Sequence, residues 1–160
     1  MKHTTLCYIE QAGCYLLLHR IKKKNDVNQG KWIGIGGKLE AGETPEDCVL
    51  REAKEETGLT LTSYRYCAVI TFLYNDCEAE AMHLFHADQF AGTLAETCSE
   101  GALAWIAKED YARLPQWQGD RIFLRLMQER ADFFRLELRY HNDELLSAVL
   151  DGTPLARELW

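Results

Sequence analysis

Runs of β-forming apolar residues occupy positions 4–9 and 14–20, separated by Gln11-Ala12-Gly13, and predict two strands joined by a tight turn. The polar stretch 21–31, IKKKNDVNQGK, predicts a loop, and 32–35 a short strand that breaks into glycine. The period then changes: over 44–57, Val49, Leu50, Ala53 and Thr57 recur at helical spacing and share one side. Two long strands follow at 64–74 and 81–88, turning near Asn75-Asp76-Cys77-Glu78, then a strand at 103–107 and a short helix at 108–114. Ile122, Leu126 and Met127 give 119–132 a helical period, and 134–140 with 145–150 predict a terminal hairpin around His141-Asn142-Asp143. Strands and helices do not alternate strictly, so the pattern predicts a mixed α/β sheet rather than a doubly wound parallel one. No repeat or linker interrupts it, and one domain over 1–160 is expected.

Composition narrows the class. With 160 residues, 47% of them hydrophobic and 27% charged, the chain can bury a core without help from disulfides or a structural metal. A net charge of −7 argues against a basic surface that coats DNA or an anionic membrane. It leaves room for a small anion that arrives with a cation, because a metal ion reverses local charge. The six cysteines, at 7, 14, 48, 67, 77 and 98, have no C-x-x-C pair and no zinc spacing. The N-terminal twenty residues lack a signal-type apolar run, and no stretch approaches a membrane span. Free thiols in a cytoplasmic protein, a monomer or homodimer, are therefore expected.

Chemistry concentrates in 36–59, GGKLEAGETPEDCVLREAKEETGL. Thr44 is placed to cap the helix, Pro45 fits its first position, Asp47 completes an acidic capping box, and Gly58 follows the last turn. Glu52 is three residues before Glu55 and four before Glu56, spacings at which like charges repel by some tenths of a kcal/mol. Glu56 also lies in the last turn, where the helix dipole disfavours anions. Arg51 can pair with Glu55 and offset part of this. Two readings stay open on charge pattern alone: a solvated acidic face, or a site for a hard divalent cation such as Mg²⁺ or Mn²⁺. Gly34, Gly36 and Gly37, running directly into the acidic helix, favour the second, since glycine lets a backbone approach a ligand closely.

Gly37, five residues, Glu43, seven residues, then REAKEETGL at 51–59 resembles the Nudix box, G-x5-E-x7-R-E-U-x-E-E-x-G-U, at every fixed position. The resemblance implies a Nudix fold, an α/β/α sandwich around a mixed sheet, and hydrolysis of a nucleoside diphosphate linked to another group with Mg²⁺, or Mn²⁺ as substitute. It implies metal ligation by Glu52, Glu55 and Glu56 with the Gly37 carbonyl, orientation of the glutamates by Arg51, and support of the loop by Glu43. Glu100, in a loop before a strand, matches the place of a further ligand or general base.

The flanking segments QGKWIGIGGK (29–38), CSEGALAWI (98–106) and LPQWQGDRIFL (114–124) resemble MutT- and MutX-like 8-oxo-dGTP diphosphatases. That resemblance implies a small nucleoside triphosphate substrate, cleaved to monophosphate and pyrophosphate as nucleotide-pool sanitation. Trp117 offers a stacking face and Asp120 an edge reader for a purine; each also has a plain structural reading, as a core residue and as a helix N-cap. Arg20, at a strand end beside Lys22, Lys23 and Lys24, and Lys38 after Gly37 are candidates for the triphosphate. One departure stands out: Ile33 occupies the position after Trp32 where some purine-reading relatives have Asn, which removes one base contact. Other nucleoside diphosphate-linked substrates, among them other nucleoside triphosphates, dinucleoside polyphosphates, ADP-ribose and capped RNA ends, remain as alternatives, although the proline that ADP-ribose enzymes often carry about 15 residues past the box is missing from the Tyr74 region. A non-catalytic nucleotide sensor is a further alternative; such modules typically lose box acids, and this box is intact.

Overall fold

The computed structural model describes residues 1–22, 24–96 and 98–160. Lys23 of the basic run lies outside the described residues. In chain order the elements are β1 (Lys2–Gln11), β2 (Cys14–His19), β3 (Trp32–Ile33), α1 (Pro45–Thr57), β4 (Thr60–Tyr74), β5 (Glu80–Ala91), β6 (Ala102–Ala107), α2 (Lys108–Tyr111), α3 (Asp120–Glu129), β7 (Phe134–His141), β8 (Glu144–Leu150) and β9 (Thr153–Pro154).

The strands form a mixed sheet ordered β3-β2-β1-β5-β4-β7-β8-β9, with β6 pairing β2 beside that path. β1 runs parallel to β5 and β4 parallel to β7, while β4 and β5 are antiparallel. Each face carries its own core. Val49 and Ala53 of α1 pack with Ile9, Leu16 and Phe85 on one side. Ile122, Phe123 and Met127 of α3 pack with Tyr8, Ile70 and Leu136 on the other. The architecture is the α/β/α sandwich around a mixed sheet.

The helix that carries the acids is fixed at both ends as its sequence predicts. Thr44 accepts from the Asp47 N–H and Asp47 accepts from the Thr44 N–H, each at 3.1 Å. Gly58 ends the helix at φ 79°, a conformation glycine adopts at no steric cost. The chain therefore turns straight into β4 at Thr60, four residues before the predicted start: Leu59 and Leu61 are buried while Thr60 and Thr62 face out, the period-two signature of a strand. The helix predicted at 119–132 is shorter at both ends. It starts at Asp120, with Gly119 in the cap position and no side-chain cap bond. It stops before Arg130, whose backbone is extended, and the Arg65 guanidinium takes the Met127 carbonyl at 2.9 Å. Asp120 is thus the first helical residue and does not cap.

All six cysteines are free; Cys7, Cys48, Cys67 and Cys98 are buried, Cys14 is half-buried and Cys77 exposed. Among the described residues no helix is long and apolar enough to cross a membrane.

Candidate active site

Arg51 is the hub of the acidic helix. Its Nε donates to Glu43 Oε2 at 2.7 Å and its Nη2 to Glu43 Oε1 at 2.9 Å, a bidentate pair. Its Nη1 donates to Glu52 at 2.9 Å and to Glu55 at 3.2 Å, and its Nη2 also reaches the Lys38 carbonyl at 3.2 Å. Arg51 thereby ties helix, glycine loop and glutamates together. Its guanidinium holds the Glu43 carboxyl down at about 2, with help from the Glu40 N–H.

The three box glutamates do not share one environment. Glu55 is exposed. Glu52 is largely covered, and burial outweighs Arg51 and raises its carboxyl above the usual range. Glu56 is 8% exposed, against the glycine loop, where its Oε2 accepts from the Gly36 N–H at 3.4 Å. Burial first, then the negative charges of Glu100 and Glu52, push its carboxyl up to about 9; the Gly36 N–H and Arg20 pull the other way without winning. Glu56, Glu52 and Glu100 therefore repel one another across a partly desolvated space.

That space suits a hard divalent cation. Its donors are carboxylate oxygens, and the repulsion among them is what a cation relieves. Gly37 leaves the room: a methyl group built on it would overlap the Glu52 carboxyl. Glu52, Glu55 and Glu56 are the residues that would hold the ion, with Glu100 beside them as a further ligand or as the base. The Gly37 carbonyl already accepts from the Thr5 N–H at 2.8 Å, the Thr5 hydroxyl at 3.5 Å and the Cys48 thiol at 3.7 Å, so joining the ligands would mean giving up one of the weaker two. Among the described residues no three acidic, His or Cys side chains already converge as a ligand set, since Arg51 draws Glu43, Glu52 and Glu55 towards itself.

The two glycines give a paired prediction. At Gly36 an added methyl overlaps the Thr5 backbone carbonyl, which cannot step aside; at Gly37 it meets the end of a flexible side chain. Gly36→Ala is expected to cost about 3 kcal/mol, the upper range for overpacking, and to lower the melting temperature by about 6–12 °C. Gly37→Ala is expected to melt within about 2 °C of the parent and to lose turnover at least about tenfold as Glu52 is displaced. Calorimetric melting and steady-state rates on both variants check this; equal melting would refute the contrast.

Beside the acids opens a cavity of about 360 Å³, within the usual size of ligand pockets. Apolar walls come from Leu6, Ile33, Phe72, Met82 and Trp117, and Asp120 lies in the lining. Trp117 is only 5% exposed: Phe72, Tyr74 and Tyr140 pack edge-on to its ring, and the Lys31 ammonium lies 4.3 Å from its centroid. It is a wall of the cavity and part of the core at once. Asp120 is 5% exposed and its carboxyl belongs to the cavity lining. Burial pushes that carboxyl well above the usual range, with Lys31 opposing.

The basic candidates divide. Arg20 is committed to two acids, donating from Nε to Asp26 and from Nη1 to Glu100, both at 2.8 Å. Lys22 donates to the Cys98 carbonyl at 2.7 Å, and Lys38 is exposed at the cavity. Sequence reasoning missed Asn28, Phe72 and Met82 in the cavity. Phe72 and Met82 read as ordinary strand residues, and Asn28 sits in a loop with no periodic signal.

The NUDIX domain family matches residues 3–127 of this chain. The Uncharacterized Nudix hydrolase YvcI of Bacillus subtilis (strain 168) is 31% identical over 156 residues, covering 94% of this chain and 95% of that protein. An oxidized purine nucleoside triphosphate hydrolase of Danio rerio is 33% identical over 151 residues, 94% of each chain. The crystal structure of mMutator MutT protein from Bacillus halodurans has the same fold at a TM-score of 0.84 and 27% identity, covering 96% of this chain and 100% of that one.

Proposed function

The chain belongs to the Nudix family as a hydrolase, and from that premise we propose that it cleaves purine nucleoside triphosphates, oxidised guanine nucleotides first, to monophosphate and pyrophosphate with Mg²⁺ or Mn²⁺. The observation that carries the base assignment is Asp120: a buried carboxyl in the lining of an apolar-walled cavity next to the acidic helix. Such a group is costly to bury unless a ligand completes its hydrogen bonds. Held neutral, it donates through O–H and accepts through C=O, which matches the carbonyl and ring N–H on one edge of guanine. The likeness to an oxidized purine nucleoside triphosphate hydrolase over nearly the whole chain supports this reading.

In the reaction, a water oxygen adds to the β-phosphorus. The bond from that phosphorus to the bridging oxygen breaks, and the nucleoside monophosphate leaves with the oxygen. A divalent cation held by Glu52, Glu55 and Glu56 would supply charge neutralisation on the phosphates and activation of water. The chain does the positioning. Arg51 fixes Glu52 and Glu55 from behind. Arg20 holds Glu100 Oε2, which leaves the other oxygen of Glu100 to take the proton of the attacking water. The physiological task that fits is removal of oxidised purines from the nucleotide pool, in a cytoplasmic enzyme that binds neither DNA nor membranes.

Steady-state hydrolysis of 8-oxo-dGTP, dGTP, dATP and ADP-ribose, with Mg²⁺, Mn²⁺ or EDTA, tests the reading. The expected result is highest kcat/KM on 8-oxo-dGTP, pyrophosphate as product, and no turnover in EDTA. Preference for ADP-ribose, or release of orthophosphate, would overturn it.

A further inference from the structure

The loop between β2 and β3 brings one amide into the cavity under tight control. Asn28 Oδ1 accepts the Trp117 indole N–H at 2.7 Å. Indole nitrogen only donates, so the amide oxygen must face Trp117 and the NH₂ group must point the other way. The backbone at Asn28 is fixed too. Its N–H donates to Asp26 Oδ1 at 3.2 Å, its carbonyl accepts from the Lys31 N–H at 2.9 Å, and Asp26 is itself held by Arg20 at 2.8 Å. Among the described residues the NH₂ group has no hydrogen-bond partner, and Asn28 lines the same cavity as Asp120. The cavity thus contains a positioned neutral donor whose acceptor is not supplied by the protein.

We infer that Asn28 is a specificity-determining residue that donates from its side-chain NH₂ to a carbonyl oxygen of a bound oxopurine. The inference rests on the base-binding reading of this cavity and extends it. Position 33 carries an apolar Ile on the cavity wall, which offers a base no hydrogen bond. Trp117 acts here as a positioning residue, because its N–H sets which end of the amide faces the ligand. Asn28 also joins the two halves of the site. Asp26 grips both its backbone and Arg20, and Arg20 grips Glu100 at the acidic helix.

The test separates reading a base from latching Trp117. Asn28→Asp keeps an oxygen for the Trp117 N–H but replaces the donor with an acceptor. Asn28→Ala removes both. Binding of 8-oxo-dGMP, dGMP and dAMP to the full chain is measured by titration calorimetry without divalent metal, so that turnover plays no part. The expected result for Asn28→Asp is a loss of at least about tenfold in affinity for the two oxopurines, with dAMP changed by less than about threefold and melting preserved; removing one hydrogen-bond partner supports a change of that size. Asn28→Ala is expected to weaken all three. If Asn28→Asp leaves the ratio of dGMP to dAMP affinity unchanged, the residue only latches Trp117 and the inference fails while the base-binding reading stands. If the parent protein binds none of the three monophosphates, both fail.

Discussion

A Glu56→Gln variant is expected to lose at least about a hundredfold in turnover while remaining folded, since even changes behind a metal ligand cost about 10–100-fold. The substitution keeps the side chain's size and its ability to accept the Gly36 N–H. What it removes is a carboxyl that can ionise, from a space shared with Glu52 and Glu100. In the metal-free protein the fold must keep that carboxyl protonated at a pH where the unfolded chain ionises it, because burial and two like charges surround it and Arg20, the cation beside it, is committed to Asp26 and Glu100. Glu56→Gln is therefore expected to melt at or above the parent in EDTA. In Mg²⁺ the order reverses: the parent gains stability by binding the ion and the variant gains less. Melting curves with and without Mg²⁺, alongside steady-state rates, check both halves. A variant with near-parent turnover would sink the assignment of Glu56 to the metal site. A variant that melts far below the parent in EDTA would show that the charge is satisfied by the protein.

The contrast between Glu56 and its neighbours marks where sequence reading stops. Thr44, Pro45, Asp47 and Gly58 act through bonds within a few residues, and each lies where the sequence places it. The i,i+4 spacing of Arg51 and Glu55 likewise gives their ion pair, whereas the bidentate pair with Glu43 and the lack of contact with Glu56 among the described residues come from the fold. Helical periodicity, however, groups Glu52, Glu55 and Glu56 on one polar side, and the fold separates them by burial. Only the packing of the glycine loop against β1, through the Thr5 and Cys7 backbone, decides that Glu56 is covered and Glu55 is not. The cavity is less legible still. Trp117 and Asp120 are paired in the sequence only through the resemblance of 114–124, and sequence order carries no record of their meeting Asn28 of the β2–β3 loop and Phe72 of β4. The extra residues at the start of β4 were readable in principle. Leu59 and Leu61 alternate with threonines, but polar Thr62-Ser63 resembles the end of a turn.

Asp120→Asn is expected to stabilise the protein at alkaline pH and to leave it unchanged near pH 4. An aspartate in the unfolded chain ionises near a pKa of about 3.9. In the folded protein, burial keeps the Asp120 proton on to much higher pH, and the Lys31 ammonium does not offset this. The phenols of Tyr8, Tyr111 and Tyr140 complete its surroundings; none carries a positive charge, and burial raises each of them. Between the two ionisations the folded state binds one more proton than the unfolded state, so Asp120 makes stability fall with rising pH, by about 1.4 kcal/mol per pH unit. Asparagine does not titrate and lacks that slope. The difference in unfolding free energy between variant and parent is therefore expected to be near zero below the unfolded pKa. It then grows in favour of the variant until the folded carboxyl ionises. Denaturant unfolding of both proteins across pH 4–9 reads this directly, and parallel curves would mean that Asp120 is ionised inside the fold. Activity should follow hydrogen bonding instead of charge. Asparagine keeps a donor and an acceptor, whereas Asp120→Ala keeps neither and is expected to raise KM for an oxopurine triphosphate at least about tenfold, the loss of roughly one buried hydrogen bond. If alanine and asparagine raise KM equally, the neutral carboxyl is not the group that reads the base.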